Sequence, residues 1–305
     1  MRKFNFRTVM ATAALGSTLV VGLAGSGAAV AQGYPNKAIN YILPFNAGGE
    51  SDISARFQQS VFKKIAGQEV VIQYMAGAGG AQAWSQLNTM PNDGYTIMSA
   101  DTATLAANPF IYSKLAFNPE KDLTPVAAVA RVHVFLETNP AVPATNVAEF
   151  IKHLKANPGK LSYGSPGQGS SPHLAGEMFK RMAGVDAVHA PYKGAGPALS
   201  DVLSGQLQFW FDPGPGLKQV EAGKLRLLAI GSPHRSPQYP NVPTLAESGL
   251  PGFDADTLFG LYAPTGTPES VIEAVRTAVA KALEQKNVND VILTLGATPA
   301  PLSRK

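Results

Sequence analysis

Three glycine- or serine-rich stretches hold the residues best placed to do chemistry, and that chemistry is the holding of an anion. Phe45-Asn46-Ala47-Gly48-Gly49-Glu50-Ser51-Asp52 follows an apolar run and enters a helical pattern. Gly77-Ala78-Gly79-Gly80 follows a second apolar run, Val70-Val71-Ile72. Gly164-Ser165-Pro166-Gly167-Gln168-Gly169-Ser170-Ser171-Pro172 repeats the arrangement with hydroxyls. A strand that turns through glycine into a helix leaves backbone N–H groups aimed at whatever lies before the helix, a ready site for a carboxylate or phosphate. Gly-Gly also serves purely steric turns, so the recurrence, rather than one loop alone, carries the reading. Asp52 at the helix start fits an ordinary cap better than direct contact with an anion, which it would repel.

Other chemistries fare worse. Gly77-Ala78-Gly79-Gly80-Ala81-Gln82 approaches the dinucleotide fingerprint, but Gln82 stands where the last glycine belongs. Ser170 and Ser171 could be nucleophiles of an exported hydrolase, yet no G-x-S-x-G elbow surrounds them and His173 alone makes no triad. His133, His153, His173, His189 and His234 are scattered without metal-ligand spacing, so no metal and no cofactor is expected. Asp212 ends the aromatic run Phe209-Trp210-Phe211, a candidate at the mouth of a cleft, while the aromatics read equally well as core. Tyr192-Lys193-Gly194 puts a cation at another strand end, for an ion pair between lobes or for an anion.

The elements that must position these residues alternate. Apolar strands are expected at 38–43, 69–74, 95–100, 125–129, 132–136, 161–164, 188–192, 207–211, 225–230 and 258–264. Helical periodicity covers 51–66 (Ile53, Phe57, Val61, Ile65), 81–90, 147–157, 173–184, 196–204 and 268–284. That is an α/β chain with mostly parallel strands, built as two βαβ series and a short return. It predicts two lobes, 32–133 plus 258–305 and 134–257, joined by two crossing strands with a cleft between them.

The first 31 residues read as a leader. Arg2, Lys3 and Arg7 precede the uncharged stretch Val9–Leu23, and Ala29-Val30-Ala31 supplies a cleavage site after Ala31, so a periplasmic destination is expected. The leader takes three of the basic residues and no acidic one, which lowers the formal charge from +4 to +1 and removes the electrostatic case for nucleic acid. With no cysteine, the exported chain has neither disulfides nor thiolate–zinc sites to lean on, only its core.

Beyond these readings, the chain resembles a known family. Tyr34-Pro35-Asn36-Lys37, Leu43-Pro44-Phe45 with Gly48-Gly49 and Asp52, Gly77-Ala78-Gly79-Gly80, Asp93-Gly94-Tyr95-Thr96 and Asn108-Pro109 are similar to the Bug-type receptors of tripartite tricarboxylate transporters. Ser171-Pro172-His173-Leu174-Ala175-Gly176-Glu177, Pro191-Tyr192-Lys193-Gly194, Val242-Pro243-Thr244 and Gly249-Leu250-Pro251-Gly252 extend the likeness in the same order. The resemblance implies a type II, Venus-flytrap periplasmic binding protein, monomeric and without catalysis. It would capture a di- or tricarboxylate or an aromatic acid and present it to membrane permease subunits; a sensor feeding a membrane signalling system shares the fold. Carried over, Phe45, Asn46, Ala47, Gly49 and Asp52 with Gly77, Ala78, Gly79 and Gly80 would line one side of the ligand. Ser165, Gly167, Ser170 and Ser171 would close from the other, with Asp212 at the edge. Asn46 and Glu50 depart from the smaller or less charged residues of many relatives, which bears on selectivity. The relatives usually carry one more amphipathic helix after the position of Lys305, whose lack would uncover apolar surface on the first lobe.

Overall fold

A computed structural model describes residues 33–300 apart from positions 50, 57, 58, 60–62, 64–66 and 88. The leader, Glu50, the later part of the first expected helix and the last five residues lie outside the described residues. That first helix is helical at 51–56.

Two mixed sheets carry the chain. The first is built from β1 (Ile39–Leu43), β2 (Val70–Tyr74), β3 (Thr96–Asp101), β4 (Leu123–Val132), β10 (Thr257–Pro264) and the short β11 (Thr298–Pro299), in the order β11-β4-β10-β3-β1-β2. The second contains β5 (Phe135–Thr138), β6 (Ser162–Ser165), β7 (Val188–Pro191), β8 (Phe209–Asp212) and β9 (Arg226–Ile230), in the order β7-β6-β8-β5-β9. The βαβ units are parallel, as expected: β1 pairs with β2 and β3, and β6 with β7 and β8. The crossing strands break the expected parallel rule. β10 runs antiparallel to β3 and β4, and β5 antiparallel to β8 and β9, because a chain that leaves one sheet and returns enters each from the opposite end.

The chain passes from the first sheet to the second between Val132 and Phe135 and returns into β10 at Thr257. The two passages are tied: His133 Nδ1 donates to Asp256 Oδ1 at 2.7 Å, and Ser232 Oγ donates to Asp256 Oδ2 at 3.0 Å.

Each sheet has its own core. Helix Glu269–Leu283 turns Val271, Ile272, Val275, Val279 and Ala282 inward at helical spacing onto Ile39, Tyr41, Val70 and Ile97. The opposite face of that sheet packs Ile42 and Met98 against Trp84, Leu87, Leu105 and Phe117. The second sheet is buttressed by aromatics: Phe150 stacks on Phe179 and meets Phe209 edge-on, and Phe211 stacks on Phe253. Trp210, fully buried, is core. Helices Thr102–Ile111, Pro119–Asp122, Leu217–Glu221 and Lys286–Thr294 are additions to the sequence-based expectation. Among the described residues no helix is long and apolar enough to cross a membrane.

Candidate functional site

The two lobes meet along the glycine loops. Asn46 N donates to Lys193 O at 2.9 Å, and Tyr112 Oη donates to Gln168 O at 2.8 Å. Gly48 and Gly49 lie against Gly196 and Ala195, and Gly79 lies under Gln168 and Gly169. Between these contacts is a cavity of about 20 Å³, room for little more than a water. Phe45, Gly49, Ser51, Asp101 and Phe259 wall it from the first lobe; Pro166, Ser170, Ser171, Pro172, Ala195 and Pro213 wall it from the second.

Four helices begin at this cavity: those starting at residue 51, at Thr102, at Ser171 and at Ala195. Two come from each lobe. The helices at Ser171 and Ala195 have no side-chain cap at Ser170 and Gly194, whereas Asp101 caps its own helix by accepting Thr104 N at 2.7 Å. The helix dipoles direct their positive ends at a cavity with no lysine or arginine among its described walls; the one carboxyl there, Asp101, is buried, and burial raises its pKa.

The second glycine loop owes its shape to unusual backbone. Ala78, Gly79 and Gly80 have φ of 48°, 56° and 95°, left-handed values that close a tight turn in which Gly80 N donates to Gly77 O at 2.9 Å. A Cβ on Gly79 would lie 2.1 Å from Gln168 O, and one on Gly80 would lie 2.7 Å from the Trp84 ring. Gly77 is pressed by Gln82, whose Oε1 would sit 2.2 Å from a Cβ there.

Several expected site residues hold the loops in place. Asp52 is buried and accepts Gly48 N at 2.9 Å and Arg56 Nε at 2.9 Å, with Tyr74 Oη on the same oxygen. Ser165 is fully buried away from the cavity wall; its Oγ lies 2.7 Å from His189 Nε2 and accepts Gly167 N at 3.2 Å. Ser170 Oγ donates to Gly167 O at 2.7 Å, so it is not coupled to a base. His173 Nδ1 accepts Gly169 N at 3.0 Å, and its ring stacks on His189 at 4.0 Å. Burial lowers both imidazole pKa values, that of His189 to about 4, so both rings are neutral at pH 7. The structure therefore gathers Phe45, Gly49, Ser170 and Ser171 on the cavity and Asn46, Ala47, Gly79 and Gly167 along the seam beside it. Lys193 contributes its carbonyl, and its side chain is exposed.

Asp212 does not reach the cavity; its neighbour Pro213 does. Its carboxyl is fully buried, accepts Gly216 N at 2.8 Å and pairs with Glu137, which also accepts Trp210 Nε1 at 2.9 Å. Burial pushes the Asp212 pKa up to about 7 and that of Glu137 well above the usual range. Two carboxyls in contact without a cation must share a proton. Sequence reasoning missed Glu137, although an acid inside the apolar strand Phe135-Leu136-Glu137-Thr138 was a visible signal. It also missed Asp101, whose signal is an acid where strand gives way to a helical Thr. Among the described residues no cluster of three or more metal-ligating side chains occurs.

Residues 54–303 match the profile of the tripartite tricarboxylate transporter family receptor. The chain is 36% identical to protein BugT of Bordetella pertussis over 284 residues, 92% of this chain and 87% of that one. A solved periplasmic transporter shares 40% identity with a TM-score of 0.85, over 88% of this chain and 90% of the other. An R. palustris protein solved with adipate shares 33% identity (TM-score 0.84, 87% and 89% covered). MatC from Rhodopseudomonas palustris, solved with malate, shares 32% (TM-score 0.83, 87% and 90% covered). Two mixed sheets linked by two passages, a cleft faced by helix N-termini and these likenesses lead to one conclusion: the chain belongs to the tripartite tricarboxylate transporter family receptors, periplasmic solute-binding proteins of the Bug type.

Proposed function

We propose that this receptor captures a small organic carboxylate between its lobes, 32–133 plus 258–305 and 134–257, and passes it to the membrane subunits of a tripartite transporter. The observation that carries this reading is the convergence of four helix N-termini on one cavity whose described walls hold no cation. Such a site favours an anion by fixed dipoles and N–H groups, which suit a planar carboxylate. The adipate and malate complexes of two relatives support the ligand class. Backbone of the Phe45–Gly49 and Gly77–Gly80 loops and the Ser170–Ser171 turn would contact the solute; Asp52, Ser165, Gly167 and Asp212 would shape those loops from behind. No step of covalent chemistry is assigned: Ser170 has no base, and the buried Ser165–His189 contact lies off the cavity wall. The protein acts as a monomer after export and cleavage behind Ala31. Because the cavity is water-sized with the lobes together, binding requires them to part, and solute then stabilises closure only through contacts with both walls.

Titration calorimetry and thermal shift against mono-, di- and tricarboxylates test this reading. A saturable carboxylate that raises Tm is expected; ligands confined to cations or neutral sugars would overturn it.

A further inference from the structure

One polar side chain beside the cavity is not used by the reading above. Asn108, two helical turns (about 10 Å) beyond Asp101 on the same helix, is fully buried, and neither its Oδ1 nor its Nδ2 has a hydrogen-bond partner. It faces the other lobe: a Cβ on Gly169 would lie 2.7 Å from Asn108 Oδ1. Gly169 is the neighbour of Ser170, which walls the cavity. A second orphan, Trp84 Nε1, is equally buried, with its ring against Gly80. The two therefore flank the seam where the second glycine loop meets the 167–169 turn. Native interiors rarely leave both ends of an amide unpaired, and such a group calls for a partner from outside the fold, whether water, an ion or a bound solute.

The cavity explains when that guest arrives. A solute larger than water must part the walls, and Asn108 is a buried polar group that separating Gly169 from the first lobe would uncover. We infer that Asn108, assisted by Trp84 Nε1, is a specificity-determining subsite for the second carboxyl group of a dicarboxylate whose first carboxylate sits at the helix N-termini. A neutral amide donates two N–H bonds to that group without the desolvation of a buried cation, in keeping with the lack of lysine or arginine in the described walls. This assignment rests on the carboxylate-receptor reading above.

The test compares acids of equal chain length, adipate with hexanoate and suberate with octanoate, by calorimetry. Wild-type protein is expected to prefer the diacid. Asn108→Leu should weaken diacid binding at least tenfold and monoacid binding less than twofold. Asn108→Asp, nearly isosteric and so suitable if the leucine variant misfolds, should weaken the diacid further by like charge. Trp84→Phe should give a smaller loss with the same selectivity. A wild-type protein indifferent to the second carboxyl, or variants that leave the diacid-to-monoacid ratio unchanged, would overturn the subsite while leaving the carboxylate reading intact. Failure of every acid to bind wild-type protein would overturn both.

Discussion

The two walls of the cleft reach similar shapes by different means. The first-lobe wall is bent backbone: left-handed residues at Gly48 and Ala78–Gly80, anchored by one ionic contact, Asp52 with Arg56. The second-lobe wall is a turn laced by its own side chains, with Ser165 and Ser170 on Gly167 and His173 on Gly169, above a floor of stacked aromatics. At Gly77, Gly79 and Gly80 the first tolerates no added atoms, since a Cβ there would strike protein, whereas one on Gly48 or Gly49 would meet only ordinary contacts. The second depends on polar atoms that can be removed without a clash. The first wall should therefore fail by steric block and the second by gradual loosening.

The largest effect is expected from Gly79→Leu. Its side chain would meet Gln168 O at the seam and sit at a φ of 56°, a strain of about 1–2 kcal/mol. Carboxylate affinity should fall at least a hundredfold by calorimetry while the melting temperature moves only a few degrees; unchanged affinity would show that this wall does not bind. Next comes Asp52→Ala, which strips the partner from Gly48 N. About 1–3 kcal/mol of stability should be lost in urea unfolding, with roughly tenfold weaker binding, because the first wall has little else to hold it. An equally large effect from Ser165→Ala would erase the contrast between the walls.

The smallest and most diagnostic effect concerns pH, and in the second lobe it sets a buried acid pair against a buried imidazole. Asp212 titrates near 7 when folded against an ordinary value near 3.8, so the folded state holds the extra proton between them. Its contribution is full below pH 4 and is lost as pH rises toward 7. His189, depressed to about 4 from 6.5, behaves oppositely: its contribution is full above pH 6.5 and is lost as pH falls toward 4. The two slopes oppose each other over pH 4–6.5. Denaturant unfolding across pH 4–8 should show Glu137→Gln/Asp212→Asn losing stability mainly on acidification and His189→Gln mainly on alkalinisation. Matching slopes in both variants would dismiss the buried pair as a titrating unit.

Much of this was legible in the sequence. Every expected strand has a counterpart, offset by a few residues at its ends, because alternating apolar runs and glycine stops are local signals. The helix Thr102–Ile111 was not legible: Thr102-Ala103-Thr104 and an interior Pro109 give a poor helical pattern, and Asp101 must cap it from the preceding strand. The antiparallel β10 could not be read because its partners lie 125 to 164 residues away in the chain (Leu258 opposite Arg131 and Tyr262 opposite Met98, for example), and periodicity says nothing of direction. The glycine loops and the Ser170–Ser171 turn were read from glycines and serines standing between apolar runs and helical periodicity. Asp212 was found as a residue but misplaced by one position: alternation along β8 turns its side chain toward Glu137, leaving Pro213 on the cavity. Asn108 carried a motif but no role until its amide was seen without partners.

The contacts Asn46–Lys193 and Tyr112–Gln168 form around a cavity too small for a solute. Thermodynamically they are competitors for the cleft, tethered at fixed effective concentration. The affinity measured in bulk is the intrinsic one diluted by the fraction of molecules whose latches are undone. Evolution can thus retune the receptor's working range by weakening a tyrosine hydroxyl at the rim, without touching any atom that meets the cargo.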